Sequence, residues 1–251
     1  MIGLVRNEWK KVFLPVLLTT VLLAIAMSVL SCTIYQNYVL HYDLEAWEVG
    51  TELFSLLYPL FVVVPLCWNL YYERKNNFLL YVMPRVKIKK YLTAKWIAYA
   101  LGTLCIIVIP YILSAVFAIY VKPPVVPFVE NPFSHIFENA FIKAPLLYAV
   151  ALSLWRGTVS LFVMTFGFIL ALYCKNIFVI LTGPFMYSIL ENFVLAILCL
   201  ERLRLVVAFD PTTVNPEVVS IFSFFFGPIV LSIVIGLTAF LLSKKNAVVT
   251  I

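Results

Sequence analysis

Charge is what this sequence has least of: 12% of its 251 residues are Asp, Glu, Lys or Arg, against 64% that are apolar. A soluble domain carries about twice that share of charge, so water is not the main solvent of this chain. Histidine occurs twice, and the five cysteines (Cys32, Cys67, Cys105, Cys174, Cys199) lie singly in apolar stretches, without CxxC spacing or a nearby histidine. That excludes a zinc module or a disulfide framework and leaves the thiols as small buried hydrophobes. There is no GxxxxGK[ST] phosphate loop, so the chain has no ATPase of that type, and no HExxH, paired-aspartate or Ser–His arrangement sits in its apolar runs. No catalytic residue, cofactor or metal site is expected, and neither an internal repeat nor a low-complexity segment is visible.

What is present is a series of long apolar runs. A membrane-spanning helix uses about 20 mostly apolar residues, and this length accommodates six or seven such spans with no sizeable soluble domain. The expected fold is an all-α integral membrane protein forming a single transmembrane domain over 1–251, with about six spans near 13–32, 53–72, 96–121, 149–173, 177–200 and 221–242. Residues 2–12, IGLVRNEWKKV, place Ile2, Val5, Trp9 and Val12 on one helical stripe with Arg6, Glu8, Lys10 and Lys11 around it. This is the pattern of an interfacial helix over 1–12. Leu30-Ser31-Cys32 resembles a lipoprotein cleavage site, but the preceding run exceeds a signal-peptide core, so a retained first span is expected.

The net charge of +6 does not indicate nucleic acid, because the basic residues fall in short connectors between apolar runs. The N-terminal segment, the 73–95 connector, Lys175 and the tail hold 13 of the 18 Lys and Arg residues but only two acids, Glu8 and Glu73. By the positive-inside rule that side is cytoplasmic, with both termini on it. The lysines and arginines there also suit anionic lipid.

Two stretches are ambiguous. Arg156 and Gly157 interrupt the fourth run, and an arginine at mid-span costs about 2.5–3.5 kcal/mol on insertion scales. A membrane boundary near Arg156 would leave 136–155 as an outer-surface or re-entrant helix, with Arg156 paired to Glu138 or Glu191. The connector 201–220 carries an apolar patch, Leu205 to Phe209, that suits a dip into the membrane. Glu191 and Asn192, in the outer half of the fifth run, are candidates with Arg156 for a substrate path or gate. His41 and His135 read as surface residues.

The connector 73–95, ERKNNFLLYVMPRVKIKKYLTAK, is too long and too apolar in its middle for a hairpin loop. Phe78, Leu79, Leu80, Val82 and Met83 lie between basic clusters and stop at Pro84, which predicts a short amphipathic helix across the cytoplasmic face. Such an element suits a groove on a partner.

In this layout the chain resembles the ABC-2 type permeases, in particular the compact six-span permeases of bacterial peptide export and lantibiotic immunity. The resemblance is carried by the Glu-x-x-Lys pattern of Glu8 and Lys11 before the first span, and by Glu73, Lys75, Asn76, Asn77, Pro84, Arg85, Lys87 and Lys95 around the connector. Asn77-Phe78 stands where that family commonly has Gly-Thr, and the Glu73-to-Pro84 spacing is about two residues shorter.

The resemblance implies a type V exporter-like permease fold in a bacterial cytoplasmic membrane. It implies two permease subunits, identical or homologous, driven by a dimer of cytoplasmic ABC ATPase subunits that bind ATP and magnesium. Within the connector, Phe78, Leu79, Leu80 and Met83 are expected as apolar anchors on the ATPase, Glu73 and Arg85 as polar clamps, and Pro84 as the stop. The implied cargo is an amphipathic molecule, such as an antimicrobial peptide or a lipid-like compound, moved outward. A self-contained secondary transporter or channel is the alternative.

Overall fold

The computed structural model describes residues 1–82, 84, 86–125, 135–216 and 218–245, with the side chains of Leu79, Leu80 and Lys245 outside the description. Among the described residues the chain is all helical. Six helices are long and apolar enough to cross a membrane: α1 (Ile2–Thr33), α2 (Glu45–Lys75), α4 (Ile88–Tyr120), α6 (Pro145–Tyr173), α7 (Ile177–Ile197) and α9 (Ile221–Lys245). Three short helices, α3 (Phe78–Val82), α5 (Glu138–Lys143) and α8 (Leu205–Phe209), lie in the connectors.

α1 corrects one expectation. It is a single helix of 32 residues, so no separate interfacial helix forms over 1–12. Pro15 removes one backbone donor and bends a helix without having to end it, and no glycine lies between Val5 and Pro15 to break the run. At about 1.5 Å per residue α1 reaches ~48 Å, well beyond a ~30 Å hydrocarbon core. It is therefore longer than such a core, and Glu8, expected on the polar face, is buried.

α1, α2, α4 and α6 form the core of the bundle, with α7 packed on α2 and α6, and α9 on α6 and α8. Close approach is built into the sequence at Gly50, where a Cβ would lie 2.5 Å from the Ser31 backbone and so keeps α1 against α2. α7 and α9 are peripheral: 17% of their spanning stretches is buried, against 56% for α2.

Contacts sort the helix termini into two ends. The start of α1, the end of α2, the start of α4 and the end of α6 share bonds at one end, which carries the basic connectors. The other end holds the contacts of α5, α8 and the start of α9.

α6 corrects a second expectation. It begins at Pro145, a favoured first helical position, and runs unbroken through Arg156 and Gly157. Arg156 lies about 16 Å in from its outer end, so the helix does not break there. Of the segment read as 136–155, only Glu138–Lys143 is a separate helix. After α7, Cys199 adopts a left-handed backbone (φ 55°) and the chain turns back. All five residues of α8 are then buried in the bundle.

Candidate functional site

At the basic end, four residues from three helices form one ionic cluster. Lys95, at the start of α4 and fully buried, lies 3.2 Å from Glu8 of α1 and is also paired with Glu73 at the end of α2. Lys11 bridges the same two carboxylates, 2.6 Å from Glu8 and 3.0 Å from Glu73. Tyr91 donates to Glu73 at 2.9 Å, and Lys95 to the Asn69 amide oxygen at 3.2 Å. Two ammonium groups face two carboxylates, so the cluster is neutral and each buried charge has an opposite neighbour, the condition for keeping ions out of water. Arg74 adds a bond to the backbone carbonyl of Cys174, fastening the end of α2 to the end of α6.

This cluster is the root of α3. α2 ends at Lys75, and Asn77 takes a left-handed backbone (φ 56°). Glycine and asparagine are the residues that enter that region most readily after a helix. The reversal sends Phe78–Val82 out over a cleft of about 370 Å³ lined by Lys11, Trp68, Tyr72, Phe78 and Tyr81 among others. Phe78 is 38% exposed with Lys11 Nζ 5.1 Å from its ring centroid, and Tyr81 is 74% exposed.

Of the expected coupling residues, Phe78 is therefore a surface aromatic, and Pro84 is exposed beyond α3. Met83 and Arg85 lie outside the described residues, as do the side chains of Leu79 and Leu80. Glu73 differs from its expected part as a clamp on a partner. Its carboxylate is turned inward and occupied by Lys11, Lys95 and Tyr91, so it positions α3. Sequence reasoning missed Tyr81, the most exposed aromatic of α3, because only aliphatic and Phe positions were counted as anchors.

At the opposite end, Arg156 corrects a further expectation. Its partner is neither Glu138 nor Glu191 but Asp210, with Nη2 2.7 Å from Oδ1 and both residues fully buried. The guanidinium carbon lies 4.7 Å from the Trp47 ring centroid and 4.4 Å from that of Tyr111, a geometry in which aromatic faces stabilise a desolvated cation. Trp47 is fixed by its own bonds to the Tyr111 carbonyl (3.0 Å) and the Ser114 hydroxyl (3.1 Å).

Asp210 follows α8 directly, so the pair pins the segment after α7 to α6. Phe209 stacks on Tyr58 at 3.9 Å, and Trp155 Nε1 donates to the Ala208 carbonyl at 2.7 Å. Glu191 also holds this segment: both its oxygens accept from the Leu205 backbone N–H at 3.0 Å. Asn192 is half-buried on α7. Among the described residues, Arg156, Glu191 and Asn192 share no bond with one another, so the structure does not bring them together as one gate. Asp210 was missed, although a carboxylate between an apolar patch and Pro211 was the available signal.

His135 is not the free surface residue expected. Its Nε2 sits 2.9 Å from Glu45 Oε1 and its Nδ1 3.7 Å from Glu48 Oε2, while the ring stacks on Phe141 at 3.9 Å. Burial by itself lowers the imidazole pKa, but the Glu45 hydrogen bond and the charges of Glu48, Glu45 and Glu138 outweigh it and hold it above its ordinary value. His41 donates its backbone N–H to Glu45. Among the described residues no group of three or more His, Cys, Asp or Glu side chains is arranged to hold a metal.

Comparison with known proteins returns no match to a family model, a curated protein or a solved structure. The functional reading therefore rests on the residues and their geometry.

Proposed function

We propose that this chain is a permease subunit of the ABC-2 type, the transmembrane part of an ATP-driven exporter whose ATPase is a separate cytoplasmic protein. The observation that carries the reading is the Glu8–Lys11–Glu73–Lys95 cluster. It ties α1, α2 and α4 together at the root of a short exposed element, so a force applied to α3 reaches three core helices at once instead of bending a loop. Rigid-body motion of packed elements is one of the ways a local displacement becomes a domain-wide change.

In this reading the basic end is cytoplasmic, both termini lie on it, and Phe78 and Tyr81 enter a groove on an ATPase dimer that binds ATP and magnesium. The thinly buried faces of α7 and α9 meet lipid and a second permease subunit, identical or homologous. The membrane is the bacterial cytoplasmic membrane, and the cargo is amphipathic, a class that includes antimicrobial peptides and lipid-like compounds.

A second reading, a self-contained secondary transporter, is favoured by one observation, the buried Arg156–Asp210 pair, because intramembrane ionisable groups mark ion pathways in such proteins. Co-purification of the tagged chain from its native membrane, followed by ATPase assay and identification of bound proteins, separates the two. A stoichiometric subunit with a phosphate-loop motif supports the permease reading; a monodisperse chain without ATPase activity moves the assignment to the secondary transporter.

A further inference from the structure

Three carboxylates, Glu45 and Glu48 at the start of α2 and Asp210 after α8, share one charge neighbourhood near the outer end. Two of them hold a cation of their own. Asp210 has Arg156 at 2.7 Å. Glu45 Oε1 has His135 at 2.9 Å, and its Oε2 accepts from the backbone N–H groups of His41 and Tyr42, so both its oxygens are engaged.

Glu48 is the odd one. Its side chain is 14% exposed and its Oε2 lies 3.7 Å from His135 Nδ1. Its Oε1 is buried and, among the described residues, has no hydrogen-bond partner. The other charged or titratable groups that face it are Glu45 on its own helix, Tyr148 and Arg156 on α6, and Asp210. Glu138 on α5 is exposed and acts on His135.

Counting charges decides what such a group does. With His135 protonated, two cations, His135 and Arg156, stand against three carboxylates. A carboxylate shut away from water with neither a cation nor a donor of its own is driven to take up a proton. One proton on Glu48 leaves Glu45–His135 and Asp210–Arg156 as two matched pairs and brings the neighbourhood to zero net charge.

The imidazole supplies the route. A carboxylate only accepts, so Nε2 carries the hydrogen shared with Glu45, and Nδ1 is left facing Glu48. The His135 side chain is 10% exposed, which puts it between Glu48 and the outer solution.

We propose that Glu48 is a proton-binding site, loaded from the outer solution through His135. In the loading step the Nδ1–H bond of the imidazolium breaks, an O–H bond forms on Glu48 Oε2, and the imidazole recovers a proton at Nδ1 from a hydronium ion outside, which leaves as water. Unloading places a third carboxylate in the field of the Arg156 guanidinium, where it competes with Asp210. Outer pH thereby acts on the pin that holds the segment after α7 to α6. The site depends on neither functional reading of the chain.

The test is infrared spectroscopy of the purified chain alone in dodecyl maltoside, a detergent without carbonyl groups. It reads the C=O stretch of protonated carboxyls near pH 6, well above the ordinary glutamate value of about 4.3. A carboxyl band is expected in the unaltered chain and is lost in Glu48→Gln, whose amide has the shape of the protonated acid. Should that variant not stay monodisperse, Glu48→Asp keeps the acid on a shorter stem and shifts the band instead. On transfer to heavy water, His135→Gln slows exchange of the band by about a hundredfold, the lower end of what a positioned acid–base group contributes to proton transfer. No carboxyl band at this pH, or one that the Glu48 substitution leaves unaltered, would overturn the site. Exchange as fast in His135→Gln as in the unaltered chain would overturn the route.

Discussion

The two ionic centres of this protein solve the same problem in opposite ways. At the basic end two lysines and two glutamates from α1, α2 and α4 share their charges, and Lys11 remains 35% exposed, so the cluster reaches toward water. Near the other end one arginine and one aspartate are wholly enclosed, the cation lying against the Trp47 and Tyr111 rings. The first has spare ionic partners; in the second, Asp210 has beside Arg156 only the neutral Thr212 hydroxyl, at 2.7 Å, and that residue's backbone N–H, at 3.3 Å, among the described residues. A cluster with redundancy withstands loss of one member and suits an element that moves; a lone enclosed pair behaves as a fixed pin.

The largest effect expected from breaking this comparison is at the pin. Arg156→Met leaves the Asp210 carboxylate, and Asp210→Asn the Arg156 guanidinium, without its opposite charge, at a cost of about 3–5 kcal/mol for a buried pair broken on one side. Thermal unfolding in detergent should show a loss of about 10 °C or more, and the double variant should recover much of it. A double variant no better than either single one would show that the aromatic cage, not the pair, carries the stability.

Lys95→Met comes next. It removes the buried cation, but Lys11 still faces both carboxylates, so the expected loss is smaller, about 2–3 kcal/mol. Lys11→Met should cost under about 1 kcal/mol, as half-exposed ion pairs do. If Lys11→Met were as damaging as Lys95→Met, the redundancy argued for this end would be wrong.

The outer connector should respond to pH. His135 titrates above its ordinary value near 6.5, so its bond to Glu45 contributes fully below that value and is lost as pH rises through the raised, folded value. Amide hydrogen exchange over 136–143, corrected for intrinsic rates, should therefore be slowest near pH 6 and accelerate toward pH 8.5, and His135→Gln should flatten the profile.

The smallest effect on stability is expected at α3. Tyr81→Asp and Phe78→Asp alter exposed side chains and should change stability by within about 0.5 kcal/mol, while abolishing retention of the ATPase.

Much of this was legible because charge is so scarce. Six apolar runs gave six helices, and Glu8, Lys11, Glu73 and Lys95, singled out by the resemblance to the ABC-2 type permeases, meet in space. Helix continuity was not legible: a proline and a ring of charges resemble a boundary at 1–12, yet α1 runs through them because lysine and glutamate pair inside the bundle. Nor was the partner of Arg156. Asp210 lies 54 positions away in the sequence, reached only when α8 folds back between the helices, and no local periodicity encodes that return. The 73–95 connector was half legible. Its short helix and its aromatic were foreseen, but Glu73 faces inward because three donors wait for it there, and Tyr81 takes the exposed place.

The most direct test of the central claim places a photoreactive phenylalanine analogue at position 81 in the chain expressed in its native membrane. The account predicts that irradiation captures an ATPase bearing a phosphate-loop motif, and that the same analogue at position 222, on the exposed face of α9, does not. Capture of lipid alone at position 81, with no protein adduct, would contradict it.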